Sequence, residues 1–258
     1  MKTKLSIQQL ITISSPPLIL LLLWEILSQT NILDARFFPP PTVILQTLIE
    51  LGGESGELFQ HVSVSLVRIL LGFLLGGVLP AICIGLLMGG MYKHFKYFFS
   101  PPIVMIFMPI PTLAMLPIIL ILFGIGGEFS KIVTIAISVF FPVVINTAAG
   151  VANIDRIYLD VAKNYQASAK DFFLKIALPG GALPVMLEGI QMGQAIALLT
   201  IVAAEMIGAT SGIGYLIWMN YKAFLLPEMY VGLVLISFFG YLFSLLLRGL
   251  ERKLLPWK

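Results

Sequence analysis

Charged residues are scarce in this chain of 258 residues. They make up 11% of it, whereas soluble domains carry about 25%. Hydrophobic residues make up 59%, and the mean hydropathy is +0.99. A soluble domain of this size could not bury so much apolar surface. The composition therefore predicts an all-α membrane protein, because helices satisfy their backbone hydrogen bonds internally within lipid.

Cysteine and catalytic groupings are also scarce. The single Cys83 excludes a disulfide framework or a cysteine metal cluster, and we interpret it as a small core residue. His61 and His94 are isolated, so no grouping of His, Cys and carboxylates predicts catalysis or metal binding. No G-x-x-x-x-G-K-[ST] phosphate loop is present, since the Gly124 to Lys131 stretch has the wrong order. We therefore expect neither an enzyme nor a cofactor in this chain.

Long apolar stretches dominate the rest of the sequence. Stretches without charge cover 5–24, 69–92, 97–127, 132–154, 189–204 and 229–247. Most reach the roughly 20 residues that a spanning helix needs. The first has no cleavage site behind it, so we interpret it as an uncleaved helix. We predict one transmembrane domain, 1–258, with about six helices at 8–28, 63–91, 101–124, 130–152, 183–206 and 229–249.

The third of these stretches is too long for one straight span. Five prolines interrupt it, at positions 101, 102, 109, 111 and 117. Each interior proline removes a backbone hydrogen bond and bends a helix, so we predict one bent helix. Two short half-helices are the alternative, and they would reverse the sidedness of everything that follows.

Basic residues are distributed unevenly among the connecting segments. Arg36, Lys131 and Lys222 lie on one side of the six-helix arrangement, and Arg68 lies within the second helix. Twelve of the sixteen lie on the other side: Lys2, Lys4, Lys93, Lys96, Arg156, Lys163, Lys170, Lys175, Arg248, Arg252, Lys253 and Lys258. Basic residues accumulate in cytoplasmic loops. We therefore predict cytoplasmic termini, a cytoplasmic loop 155–182 and an external segment 31–60.

In the external segment 31–60, Thr42 is the expected N-cap of a helix over 43–51 that ends at the Gly-Gly pair 52–53.

A polar stretch at 160–184 interrupts the apolar pattern. It resembles the E-A-A loop of permease subunits of ATP-driven importers: Glu-Ala-Ala, three residues, Gly, nine residues, Ile, one residue, Leu-Pro. The pattern falls on Asp160, Val161, Ala162, Gln166, Ile176, Leu178 and Pro179. Gln166 replaces the Gly; since Gln prefers negative φ, we expect Ala167 or Ser168 to bear the bend. The alternative interpretation is a solvated linker between two membrane helices.

Other short motifs resemble the nitrate, sulfonate and taurine branch of these permeases. They are FPPPTV at 38–43, PIPTLA at 109–114, AAEMIG at 203–208 and SGIGYL at 211–216. The resemblance implies a type I ABC importer permease fold, whose loop 155–182 forms a cytoplasmic coupling helix-turn-helix. It also implies a homodimer in the bacterial inner membrane, two ABC ATPase subunits that carry ATP and Mg²⁺, and an external substrate-binding protein. The implied substrate is a small anion such as nitrate, a sulfonate, taurine or bicarbonate. The alternatives are a neutral heterocyclic nutrient, or a secondary transporter or channel; nothing indicates nucleic acid binding.

Polar residues inside the apolar stretches are candidates for the translocation path, because an unpartnered polar group in lipid is costly. They are Thr112, Asn146, Gln191, Gln194, Thr200 and Glu205. Hydrogen bonding between helices is the alternative for each of them. Glu205 is also expected to pair with Arg68 as a structural ion pair. Glycines four apart, at 72/76, 85/89 and 189/193, predict close helix crossings.

Overall fold

The computed structural model describes residues 7–54, 56–88, 112–166, 168, 171, 178–179 and 181–256. Every regular element in these ranges is helical, which confirms the all-α prediction. We label the helices α1 (Ile7–Gln29), α2 (Pro41–Glu54), α3 (Glu57–Leu86), α4 (Thr112–Phe123), α5 (Glu128–Ala152), α6 (Arg156–Asn164), α7 (Leu183–Gly208), α8 (Ile213–Lys222) and α9 (Leu226–Leu254).

Four of the described helices are long and apolar enough to cross a membrane. They are α3, α5, α7 and α9, whereas the apolar parts of α1 and α4, Ser15–Gln29 and Leu113–Phe123, are shorter. The multi-pass membrane class follows from these four, and the count of six stays a prediction. Residues 101–111 of the predicted bent helix lie outside the described part of the chain.

The chain divides into two compact units, which we describe separately: residues 1–60 with 216–234, and residues 61–215 with 235–258. In the first unit, α2 begins at Pro41, so Thr42 lies in its first turn. The N–H and hydroxyl of Thr42 donate to the Glu25 carboxylate at 3.0 and 2.7 Å. The N-cap prediction for Thr42 is therefore wrong. Proline is preorganised for the first helical position, and Glu25 supplies the acceptor that a cap would have provided. The helix also continues through the Gly-Gly pair to Glu54.

In the second unit, α5 is the central helix and packs against both α3 and α7. Its side chains Ile135, Val139 and Val143 are fully buried. Glycines on both neighbours bring the backbones close: an added Cβ on Gly72 would lie 2.7 Å from the Ile135 Cβ, and one on Gly189 would lie 2.5 Å from the Asn146 Cβ. The predicted close crossings at these glycines are confirmed, whereas Gly89 of the pair 85/89 lies outside the described residues.

Helix α3 does not keep a uniform pitch. Its middle, Leu71–Val78, is wound as a π-helix, and α-helical geometry resumes at Leu79. Gly85 then packs on Thr147 of α5. Cys83 precedes Gly85 by two residues, or roughly 200° around the helix, and it is exposed. The prediction that Cys83 is a core residue is wrong, because it lies on the face of α3 turned away from α5.

Candidate functional site

Two of the most strongly buried charges of the second unit form an ion pair. Arg68 on α3 donates from Nη1 to Glu205 Oε1 on α7 at 2.7 Å, and both side chains are 1% exposed. This confirms the predicted pairing. Removing one partner of such a buried pair typically costs about 3–5 kcal/mol, because the other charge is left uncompensated.

Glu205 also holds the segment that connects α7 to α8. Its carboxylate accepts hydrogen bonds at 2.8 Å from the Ser65 hydroxyl and from the Gly214 N–H. The Ser65 oxygen accepts the Ile213 N–H at 2.8 Å. A nearby imidazole adds a contact, since His61 Nδ1 accepts the Gly212 N–H at 3.0 Å. Backbone donors that would otherwise be buried without partners are thus satisfied by side chains of α3 and α7.

The two glycines of this segment are required by the carboxylate beside them. Gly212 has φ +122°, and a Cβ there would overlap the Glu205 carboxylate. A Cβ on Gly214 would lie 2.5 Å from the Val202 carbonyl oxygen and 2.9 Å from the Glu205 Cβ. The SGIGYL motif at 211–216 therefore lets the backbone approach Glu205.

The edge of the Arg68 guanidinium formed by Nε and Nη2 faces an exposed carboxylate. Nε and Nη2 donate to the two oxygens of Glu128, each at 2.5 Å, and the Glu128 side chain is 60% exposed. Nη1 also donates to the Ser211 carbonyl oxygen at 2.7 Å, and the Ser211 hydroxyl lies 3.4 Å from Nη2. Two parallel N–H···O bonds to one carboxylate are the preferred geometry of arginine.

A second buried cation accompanies Arg68. Lys131 is fully buried, and its Nζ donates to the carbonyl oxygens of Gly126 and Gly127 at 3.0 Å each. It lies within electrostatic reach of Arg68 and of both carboxylates. The distribution of basic residues along the sequence places Lys131 among the external charges, and no sequence pattern connects Glu128 with Arg68. The only local signal was the polar pair Ser65 and Arg68, three apart on an apolar helix.

The glutamines predicted for the translocation path join two helices of the second unit. Gln194 is buried; its Nε2 donates to the Gly240 carbonyl oxygen at 3.3 Å, and its Oε1 accepts the Ser244 hydroxyl at 2.9 Å. Gln191 Nε2 donates to Glu251 Oε2 at 2.8 Å. Both glutamines therefore connect α7 to α9, as the alternative interpretation expected. Their role in a path stays a prediction.

The other described path candidates lie on α5 and α7. Asn146 is half-buried on α5, and its Nδ2 donates to the Pro142 carbonyl oxygen at 2.8 Å. Thr200 is buried on α7, and Glu205 belongs to the ion network described above. The side chain of Thr112 lies outside the described part of the chain. Within the described residues, no grouping of three or more His, Cys, Asp or Glu side chains is arranged to hold a metal ion.

The resemblance to the E-A-A loop can be followed through part of that segment. Asp160 and Val161 are exposed on α6, whose first turn is capped by Asp155 Oδ1 accepting the Ile157 N–H at 3.0 Å. Beyond the turn, the Ser168 hydroxyl accepts the Asp171 N–H at 3.1 Å. Leu178 and Pro179 are half-buried. Ala167, Ile176 and the side chain of Ala162 lie outside the described residues.

Gln166 itself forms the turn. Its φ is +48°, in the left-handed region, so the prediction that Gln166 keeps a negative φ is wrong. The left-handed conformation costs an L-residue about 1–2 kcal/mol, which the closure of a turn can offset. The position of the turn therefore follows the family pattern although the glycine is absent.

Comparison with known proteins identifies the family to which this chain belongs. Residues 81–257 match the family described as binding-protein-dependent transport system inner membrane component. The chain is 34% identical to the taurine transport system permease protein TauC of Escherichia coli, across 93% of this chain and 86% of that protein. It is 36% identical to a putative aliphatic sulfonates transport permease protein, SsuC, of Bacillus subtilis, across 94% and 86%. It is 34% identical to the nitrate import permease protein NrtB of Synechococcus elongatus, across 85% and 82%. The chain therefore belongs to the binding-protein-dependent transport system inner membrane component family, as the membrane permease subunit of an ABC importer.

Proposed function

We propose that this chain forms, as a homodimer, the translocation path of a bacterial inner-membrane importer for small oxyanions. The chemistry shared by the relatives carries the proposal: taurine, aliphatic sulfonates and nitrate each present a compact group of oxygens. A small oxyanion such as bicarbonate has the same character. An external binding protein delivers the solute, and two separate ATPase subunits bind ATP and Mg²⁺.

The exposed face of α6 supports docking of the ATPase. Ile157, Val161 and Tyr165 follow one another at intervals of four, and their exposed fractions are 67%, 40% and 82%. The Tyr165 N–H donates to the Val161 carbonyl oxygen at 3.0 Å, so Tyr165 keeps the helical spacing beyond Asn164. Residues four apart share one face of a helix. An apolar strip on a polar loop is more stable when it is buried in the groove of a partner protein than when it is exposed to water.

Of the path candidates, Asn146 and Gln191 suit contact with solute best, because both are half-buried. Gln194, Thr200 and Glu205 are enclosed by the second unit and support the helices that surround the path. On this proposal the loop 155–182 and both termini are cytoplasmic.

Reconstitution tests this function. The chain would be placed in proteoliposomes with an ABC ATPase and a binding protein from the same genome, and uptake of taurine, nitrate, bicarbonate and a neutral heterocycle such as uracil would be measured. We expect ATP-dependent uptake of at least one oxyanion, and no ATP hydrolysis by the chain alone. The matched control carries a partner ATPase whose phosphate-loop lysine is replaced. Uptake of the heterocycle alone would contradict the oxyanion proposal, and uptake without any ATPase would instead indicate a secondary transporter or channel.

A further inference from the structure

We propose that Arg68 binds the oxyanion group of a solute on the guanidinium edge that Glu128 now occupies, so that Glu128 is a built-in competitor for the site. This inference rests on the proposed function, since it assigns a site to the same class of solute.

Exposure separates Glu128 from the rest of the ion network. Arg68, Glu205 and Lys131 are buried, whereas most of the Glu128 side chain is accessible. When one member of a buried ion pair moves away, its partner is left as an uncompensated charge in a medium of low polarity. An exposed carboxylate returns to water at little cost. Among these four charged residues, Glu128 is therefore the one whose contact with Arg68 can be replaced without disrupting the contacts of the other three.

The geometry of the guanidinium favours an oxyanion at that edge. Nη1 is engaged by Glu205 and the Ser211 carbonyl oxygen, while Nε and Nη2 together hold Glu128. Two parallel N–H groups match two oxygens of a carboxylate, and the same spacing suits a nitrate, a sulfonate or a bicarbonate. The half-buried Ser211 oxygen accepts a hydrogen bond from Nη2 at 3.4 Å, so its own O–H can donate to a bound anion.

The charge balance of the network supports a monovalent anion. Arg68 and Lys131 carry two positive charges, and Glu205 and Glu128 carry two negative charges, so the described network is neutral. When Glu128 turns away, one positive charge is left without a counterion in a largely buried environment. One oxyanion with a single charge restores neutrality, whereas a cation or a neutral solute does not.

The chain that carries Glu128 permits such a movement. Glu128 is the first residue of α5 and follows a turn with two glycines in the left-handed region, Gly124 at φ +98° and Gly126 at φ +87°. A tethered carboxylate competes with free solute at an effective concentration on the order of millimolar or more. We therefore expect weak binding of free anions to the wild-type chain, and stronger binding once the competitor is removed.

Anion titration tests this inference. The purified chain with its ATPase, in lipid nanodiscs, would be titrated with sodium methanesulfonate at ionic strength balanced with sodium chloride. Binding would be followed by isothermal titration. We expect Glu128→Ala to lower the Kd at least about tenfold, with Glu128→Gln between Glu128→Ala and wild type, and Glu128→Asp close to wild type. Glu50→Ala, which removes an exposed acid from α2, is the matched control and should leave the Kd unchanged.

Two double variants separate a binding site from a merely structural network. Adding Arg68→Lys to Glu128→Ala keeps the positive charge but removes the paired Nε and Nη2 donors, so the gain in affinity should be lost. Adding Ser211→Ala should reduce that gain a few-fold. If neither Glu128→Gln nor Glu128→Ala binds methanesulfonate more tightly while both elute as single species, the network is only structural and the inference fails.

The outcome is distinguishable from failure of the proposed function. If oxyanion uptake occurs but the Glu128 variants bind as the wild type does, this inference fails and the proposed function stands. If the Glu128 variants bind methanesulfonate tightly but no oxyanion is transported, the anion site stands and the transported solute belongs to another class.

Discussion

At the scale of single residues, the contact between Gly214 and Glu205 is among the tightest in the second unit. The Gly214 N–H donates to the Glu205 carboxylate at 2.8 Å, and there is no room for a side chain on either flank. The neighbours of an added methyl group would be the backbone of Val202 and the base of the Glu205 side chain, neither of which can move freely. Only glycine at this position therefore lets the backbone approach Glu205 closely enough for its carboxylate to bind the start of α8.

We expect Gly214→Ala to destabilise the chain by about 1–3 kcal/mol, the usual cost of overpacking a tight contact. Thermal unfolding of the detergent-purified protein measures the change. Gly52→Ala on α2 is the matched control, because a Cβ there meets nothing within 4 Å; it should be neutral or stabilising, by up to about 1 kcal/mol. Equal stability of Gly214→Ala and wild type would contradict the assigned packing.

Gln166 permits the opposite experiment. Because its φ is +48°, Gln166→Gly should relieve strain and stabilise the loop, by at most about 1 kcal/mol. Gln166→Asn should be close to wild type, since Asn tolerates the left-handed region, and Gln166→Val should be destabilising. Thermal unfolding, with protease accessibility of the loop as a second readout, distinguishes the three. A stabilising Val substitution would show that this turn has a different conformation.

At the scale of elements, α6 differs from the long helices because its exposed apolar residues lie in a polar stretch of the sequence and not in an apolar one. It is too short to be stable as an isolated helix in water. The Asp155 cap and the turn at Gln166 define its two ends. A short helix that presents Ile157, Val161 and Tyr165 outward suits a docking role more than a packing role.

Val161→Arg should therefore weaken association with the ATPase, because a long cation replaces an apolar contact while α6 keeps its cap. Asn164→Arg is the matched control, since it adds the same charge to the same helix at an exposed polar position. Co-purification with the ATPase and solute uptake would be measured for both variants. Retention of partner and uptake by Val161→Arg would show that this face does not couple to the ATPase.

At the scale of the whole molecule, the distribution of basic residues relates the chain to the two sides of the membrane. Twelve of the sixteen basic residues fall in segments that a six-helix arrangement places together. The energetic preference of each residue is small, but the sum over a chain sets the orientation. The proposed docking of an ATPase at α6 requires this side to be cytoplasmic.

Cysteine labelling tests that orientation. In a Cys83→Ala background, a cysteine at Glu50 should react with an impermeant maleimide added to intact cells, and a cysteine at Tyr165 should react only after the membrane is permeabilised. Both positions are exposed in the described structure, so accessibility within the chain is matched. Labelling of position 165 but not position 50 in intact cells would reverse the topology.

The sequence by itself determined the class of this protein. Scarce charge and long apolar stretches are local properties, and they sufficed to predict an all-helical membrane protein. The importer permease family was indicated by the resemblance of this chain's short motifs to those of known permeases. Local properties also sufficed for the glycine crossings, because a glycine pair four apart lies on one face of a helix wherever that helix packs. Local preference did not determine the conformation at single turns, as Thr42 and Gln166 show, since in each case a tertiary or turn-level constraint outweighed it.

Only the tertiary structure decided which polar residues meet. Arg68 lies 60 residues from Glu128 and 137 from Glu205, and Ser65 lies 148 from Ile213. No periodicity along the chain connects these positions, because their contact depends on the crossings of α3, α5 and α7. The exposure of Glu128 beside three buried charges is likewise a property of packing. Burial and charge pairing are set by neighbours in space, so the network on which the proposed anion site rests appears only when the helices are assembled.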